Sequence, residues 1–189
     1  ELARGFDEVI GVDFSARFIQ EALSLKENGV LRYTMPTEGE LENFHEVKLS
    51  DFELEEEGNK VSFWQADACN LKPIYKDFDL IFGGNLIDRL YDPKKFLDSM
   101  ASRINVVGML ILTSPYTWQE ESTHKEKLIG GYKRDGENVT TLEGLKEILD
   151  KDFALVDTKD VPFVIQETAR KHQHTIAQMS IWEKRSKNV

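Results

Sequence analysis

The sequence predicts an α/β fold, with a mostly parallel sheet, helices on both of its faces and an antiparallel edge. Three observations predict it. Short apolar runs end in an acid or in glycine at residues 6–13, 61–67 and 77–84. Segments of helical period with capping residues alternate with those runs, which is the signature of strand–helix–strand units. Two further apolar runs, 153–158 and 175–182, close the chain and suit an antiparallel pair.

Each element follows from local chemistry. Glu1 to Gly5 reads as the last turn of a helix ending on glycine; that turn has no start, so the numbering is expected to begin inside a larger domain. Residues 6–13 form a buried strand ending in Asp13. Ser15 caps a helix whose apolar face is Phe18, Ile19, Ala22 and Leu23, and Gly29 ends it. Residues 30–50, with Pro36 and Gly39, read as an irregular insertion, and 53–58 as an acidic, solvated turn. Strand 61–65 runs into Asp67, and strand 77–82 runs into Gly83, Gly84 and Asn85. Asp92 caps the next helix with Pro93 at its first position, and Phe96, Leu97, Met100 and Ile104 are its buried face. Strand 108–112 leads into Thr113-Ser-Pro-Tyr-Thr-Trp118, and 119–139 reads as a long polar loop or lid. Thr140 and Glu143 form a capping box for a helix through Leu149. No repeat or linker interrupts the series, so residues 1–189 are expected to be one domain.

Bulk composition narrows the partners. Of 189 residues, 40% are hydrophobic and 31% charged, with a formal net charge of -10, an ordinary globular balance. Without a basic run, a nucleic-acid substrate is not expected. The one cysteine, Cys69, allows no internal disulfide, which fits a cytoplasmic location. No apolar run is long enough to span a bilayer, so no membrane partner is expected.

Candidate site residues gather where strands end, because ligands of open α/β sheets bind beyond the carboxyl ends of strands. Asp13 either caps the following helix or accepts from ribose hydroxyls. Asp67 either closes a turn or accepts from an adenine amino group, with the Ala68 backbone beside it. Phe14 is placed to lie against a base or to pack in the core. Gly84 lets backbone approach a ligand or serves a turn, and the Asn85 amide offers a donor and an acceptor to a zwitterion. His172 and His174 share a strand face but have no nearby carboxylate or cysteine, so no metal site is expected.

The order of strand-acid, strand-Asp-Ala, strand-Asn and helix resembles a class I S-adenosylmethionine-dependent methyltransferase. That resemblance implies a Rossmann-like sheet whose first strand and glycine-rich loop lie ahead of residue 1. Longer strings sharpen it. Val9-Ile-Gly-Val-Asp-Phe-Ser-Ala-Arg-Phe-Ile19, Gln65-Ala-Asp-Ala-Cys-Asn-Leu71, Asn85-Leu-Ile-Asp-Arg-Leu90, Leu112-Thr-Ser-Pro-Tyr-Thr-Trp118 and Gln166-Glu-Thr-Ala-Arg-Lys171 are similar to the methyltransferase part of ovothiol biosynthesis enzymes. The similarity runs nearly the whole length and weakens in 30–60 and 119–140. It implies S-adenosyl-L-methionine as cofactor, bound by Asp13, Phe14, Asp67, Ala68, Gly84 and Asn85. It also implies methylation of an imidazole nitrogen of 4-mercaptohistidine (5-thiohistidine), and fusion to or pairing with an iron-dependent sulfoxide synthase.

Methyl transfer is an in-line displacement, so catalysis rests on holding the nucleophile close and aligned. Asn85, Asp88 and Tyr116 are the expected catalytic residues. Arg89 offers a fork for the substrate carboxylate, with Arg170 as second choice, or pairs with Asp88 at the surface. Tyr116 and Trp118 are expected to stack on the imidazole, or to pack the lid on the domain. Cys69 has no histidine near it in sequence and reads as a small buried residue. Two rivals remain open: a nicotinamide-dependent oxidoreductase on a related fold, which Asp13 suits although no Tyr-x-x-x-Lys pair is present, and an inactive or truncated cofactor-binding module.

Overall fold

A computed structural model describes residues 1–186. Among these residues ten strands and three α-helices follow one another, and their contacts group into two compact units. The first holds Glu1–Ala68 with Ile165–Gln173; the second holds Cys69–Val164 and, of the described residues, 174–186.

In the first unit β1 (Val9–Asp13) pairs in parallel with β4 (Val61–Gln65), Asp13 opposite Gln65. A parallel pair needs a crossover, and α1 (Ala16–Asn28) supplies it. Ser15 accepts from the Phe18 amide at the start of α1, and Gly29 ends it in the left-handed region at φ 68, both as the sequence predicts. Gly11 is required by packing: a Cβ there would sit 2.6 Å from the Phe63 ring. Ile19 is buried, but Phe18, expected in the core, is 64% exposed. Phe18 lies in α1's first turn and lines, with Gly11, Val12, Ile19, Ala22 and Phe63, a shallow apolar hollow of about 210 Å³. Among the described residues, β1 has a partner on one edge only.

Residues 30–50 are a hairpin, not an irregular insertion. β2 (Val30–Glu38) and β3 (Leu41–Lys48) run antiparallel about Gly39, which has φ 58. Pro36 is tolerated because the register shifts between it and Glu38. Tyr33 stacks on His45 across the pair, centroids 5.4 Å apart.

The second unit carries a four-stranded sheet in the order β5-β6-β10-β9. β5 (Phe78–Gly84) is parallel to β6 (Ile104–Ser114), and β10 (His172–Lys184) is antiparallel to β6. β9 (Phe153–Gln166) lies at one edge, and β5, paired on one side only, at the other. The two closing strands are thus longer than their apolar cores suggested. α2 (Pro93–Met100) starts on Asp92, whose carboxylate accepts from the Lys95 amide at 3.0 Å. α3 (Thr141–Leu149) starts on the Thr140–Glu143 capping box. Leu97, Met100, Leu110, Leu112, Leu145, Leu149, Phe153 and Trp182 are fully buried between these elements. Arg103 staples the 71–77 turn beneath them, donating to the Leu71, Lys72 and Tyr75 carbonyls.

Residues 119–139 are anchored rather than a free lid. The Thr123 hydroxyl, buried, donates to the Leu90 carbonyl at 2.6 Å, and Lys127 pairs with Asp92 at 2.8 Å. That lysine holds the Asp92 carboxyl below its ordinary range. Ile129 packs backbone-on-backbone against α3, since a Cβ on Gly144 would meet the Ile129 oxygen at 1.5 Å. A short hairpin, β7 (Tyr132–Arg134) with β8 (Glu137–Val139), ends the segment.

Among the described residues no helix is long and apolar enough to cross a membrane.

Candidate active site at the strand ends

In the first unit Asp13 and Asp67 come to one end of one parallel pair. The Ala66 amide donates to the Asp13 carbonyl at 2.9 Å, and the Gln65 amide side chain donates to the Phe14 carbonyl at 3.0 Å. Those bonds clip the β4 exit to the β1 exit. One Asp13 carboxylate oxygen accepts from the Ser15 amide at 2.7 Å, which orients the side chain; none of the described residues donates to the other oxygen. Phe14 beside it is 76% exposed, so the packing alternative for that ring is not taken up. An oriented acceptor and a bare aromatic face at a strand end are the chemistry a nucleoside requires. Ala68 follows Asp67 at the edge of this unit and opens a single 3-10 turn. Cys69 is buried and its thiol donates to the Asp92 carbonyl at 3.3 Å.

In the second unit the ends of β5 and β6 meet. Neither Gly83 nor Gly84 has positive φ; they are glycines because a Cβ would press on Leu112 or on the Phe82 ring at 2.9 and 2.8 Å. The left-handed turn falls on Asn85, at φ 48. Its amide donates to the Thr113 hydroxyl at 3.0 Å, and that hydroxyl donates to the Asn85 side-chain oxygen at 3.2 Å. Asn85 is exposed, and its amino group faces no acceptor among the described residues.

Asp88 and Arg89 depart from expectation. Asp88 is 1% exposed and accepts from the Ser114 hydroxyl at 2.7 Å, the Thr117 hydroxyl at 3.0 Å and Arg89 Nη1 at 3.0 Å. A carboxylate buried and filled in this way does not reach a substrate ammonium; it organises the loop after β6. The Arg89 fork is likewise occupied, Nη1 donating to the Thr117 carbonyl at 2.6 Å and Nη2 to its hydroxyl at 2.8 Å. It braces that loop instead of offering a clamp to a substrate carboxylate.

The braced loop presents Tyr116, like Asn85 a non-glycine residue at positive φ, here 55. Such a conformation costs roughly 1–3 kcal/mol and persists where its surroundings over-determine it. Here the Tyr116 amide donates to Ser114 Oγ at 3.0 Å, and its hydroxyl donates to Gln178 Oε1 at 2.9 Å. Burial, with the Asp88 charge adding to it, pushes the phenol pKa up to about 12, so Tyr116 is a hydrogen-bond donor at neutral pH and not a base. Trp118 donates from its indole to Thr141 Oγ1 at 3.0 Å, the packing alternative of the two considered. Arg170 belongs to the first unit, exposed near the β9–β10 turn, where the Ala169 amide donates to the Pro36 carbonyl at 3.1 Å. Among the described residues no group of three or more His, Cys, Asp or Glu could hold a metal ion.

Sequence reasoning passed over Ser114, Thr117 and Gln178. The first two stand in a quoted string, and their hydroxyls flank the tyrosine. Gln178 lies within a strand, and only its pairing opposite Ser114 brings it here.

No family model matches the chain, and no curated protein matches it. Solved structures do resemble it. The YcgJ protein of Bacillus subtilis is 12% identical with a TM-score of 0.55, over 99% of this chain and 86% of that one. A SAM-dependent methyltransferase of Methanosarcina mazei is 12% identical at 0.56, over 97% and 85%. The N-methyltransferase NodS of Bradyrhizobium japonicum is 13% identical at 0.52, over 95% and 74%. The fold is therefore the α/β, Rossmann-like arrangement of these proteins, as the strand and helix order predicts.

Proposed function

We propose that the protein is an S-adenosylmethionine-dependent methyltransferase that methylates an imidazole nitrogen of 5-thiohistidine. The observation that carries the cofactor class is the pair of acids, Asp13 and Asp67, at one end of the β1–β4 pair beside an exposed Phe14. Structures of the same fold include a protein named as a SAM-dependent methyltransferase and one named as an N-methyltransferase, which supports the reading. The similarity of five strings to ovothiol methyltransferases supports the substrate, with a sulfoxide synthase as the source of the thiohistidine.

When bound, S-adenosylmethionine supplies an electrophilic sulfonium methyl group. Asp13 and Asp67 would accept from its ribose and adenine, with Phe14 as the face for the base and the Ala68 backbone as a further contact. Gly84 and Asn85 are the candidates to hold its amino acid part. The free acceptor on Asp13 suits a vicinal diol, and the donor and acceptor of Asn85 suit a zwitterion. Tyr116, kept protonated, donates to Gln178 and removes no proton. Because the displacement needs an aligned lone pair more than a strong base, a site of neutral donors is adequate. Arg170, exposed and charged, is left as the candidate for a substrate carboxylate.

Isothermal titration with S-adenosylhomocysteine, and incubation of methyl-labelled cofactor with 5-thiohistidine and with histidine, test this. The expected results are saturable binding that weakens about tenfold in Asp13→Asn, and label on the thiohistidine ring. Binding without label transfer to either imidazole removes the substrate; NADH binding with none of S-adenosylhomocysteine removes the cofactor class.

A further inference from the structure

Gln178 has a position that the reading above does not use. It pairs directly with Ser114 across the β10–β6 ladder, and residues directly opposite share a sheet face. That face therefore carries Gln178 next to the Ser114 hydroxyl, the filled Asp88 carboxylate and the Tyr116 loop. By strand alternation the same face of β10 continues through Ser180 and Trp182, 1% and 0% exposed, and in the other direction to Ile176 at 53%. Gln178, half-buried, marks where this face leaves the core.

The bond it makes is selective about its amide. The Tyr116 hydroxyl donates to Oε1 at 2.9 Å, and that hydroxyl keeps its proton throughout the neutral range. The donated proton on Oε1 orients the amide. The NH2 group is then turned away from Tyr116, and none of the described residues accepts from it. Tyr116 in turn is locked by Ser114 Oγ and, through it, by Asp88. A strained backbone, a buried carboxylate and two hydroxyls thus converge to hold one neutral donor.

We propose that Gln178 is a specificity-determining residue that donates from its NH2 group to an acceptor atom of the methyl-accepting molecule. The acceptor class is a soft anion or lone pair on an aromatic ring, which for a thioimidazole is the thiolate sulfur. This inference rests on the methyltransferase reading. A neutral donor suits such an atom, because it stabilises the anion without protonating it and leaves the ring nitrogen lone pair free for methyl transfer.

Gln178→Glu tests it: the variant keeps an oxygen for the Tyr116 hydroxyl and replaces the donor with an acceptor. Gln178→Met, similar in length and without hydrogen bonds, guards against a folding defect in the first. In titrations of 5-thiohistidine into the S-adenosylhomocysteine-loaded protein, both variants are expected to weaken binding about tenfold or more. Affinity for S-adenosylhomocysteine stays within about twofold, and KM for 5-thiohistidine rises more than kcat falls. Tyr116→Phe, which frees the amide to rotate, gives a smaller loss in the same direction. Wild-type affinity for 5-thiohistidine in Gln178→Glu overturns the proposal, leaving Gln178 as a support for Tyr116. Failure of the wild-type protein to bind S-adenosylhomocysteine at all overturns the underlying reading instead.

Discussion

Replacing Asp88 with alanine should unfold the second unit far more readily than a surface change would. The carboxylate is 1% exposed and takes three hydrogen bonds, from Ser114, Thr117 and Arg89, at 2.7 to 3.0 Å. Hydrogen bonds to charged groups contribute about 1.5–3 kcal/mol each, and a buried donor left without a partner costs about 1–3. The Arg89 side chain is 40% exposed, so its share falls to about 1 kcal/mol or less. Ser114, 1% exposed, has no recourse to water. The total for Asp88→Ala comes to about 3–5 kcal/mol, in line with breaking a buried charged pair. Asp88→Asn keeps the bond from Ser114 but turns an NH2 group toward Arg89 and Thr117. The Thr117 hydroxyl can rotate to accept, the guanidinium cannot, and the cost is about 2 kcal/mol. In a domain of this size 1 kcal/mol moves Tm by about 2–4 °C, so calorimetry should find Asp88→Asn lower by about 4–8 °C and Asp88→Ala by about 10 °C or more. Because the same bonds hold Tyr116 at φ 55, the proposed methyl transfer should fall even in Asp88→Asn at temperatures where it is fully folded. An Asp88→Ala protein melting within about 2 °C of wild type would refute the claim that this carboxylate holds the loop.

Two other tests address packing and ionisation. Gly144→Ala gains about 1 kcal/mol of helix propensity but drives a methyl group to 1.5 Å from the Ile129 oxygen. Overpacking against backbone should dominate, with a net loss of about 2 kcal/mol or more in urea unfolding. For Tyr116, ionisation comes late, at about 12 against an ordinary 10. Between those values the unfolded chain releases this proton and the folded chain keeps it, so the tyrosine's contribution is intact below pH 10 and is lost as pH rises toward 12. Absorbance titration should show one late phenol that disappears in Tyr116→Phe; an unchanged curve would place Tyr116 in water.

Much of this was legible in the sequence wherever local chemistry decides the outcome. Ser15, Gly29, Asp92–Pro93 and Thr140–Glu143 bound their helices as read, because caps act within one turn. Asn85 and Tyr116 were legible as strand-end residues. Their left-handed backbones were not: beside Asn85 the two glycines suit a positive φ better, and no residue next to Tyr116 signals one. The β2–β3 hairpin was missed because Pro36 and Gly39 signal a break, and a register shift absorbs the proline. Residues 119–139 looked like a lid for their polarity, but Thr123, Lys127 and Ile129 anchor them through contacts with distant elements. Asp88 and Arg89 read as a pair free to meet a substrate, and burial by Ser114 and Thr117 could not be seen from spacing. Gln178 entered the site only by strand register, a tertiary fact that no local pattern encodes.

The half-paired strands β1 and β5 have a consequence of their own. Among the described residues each has a hydrogen-bonded partner along one side only. Bare edges of this kind recruit extended peptide by backbone bonding, whatever its side chains.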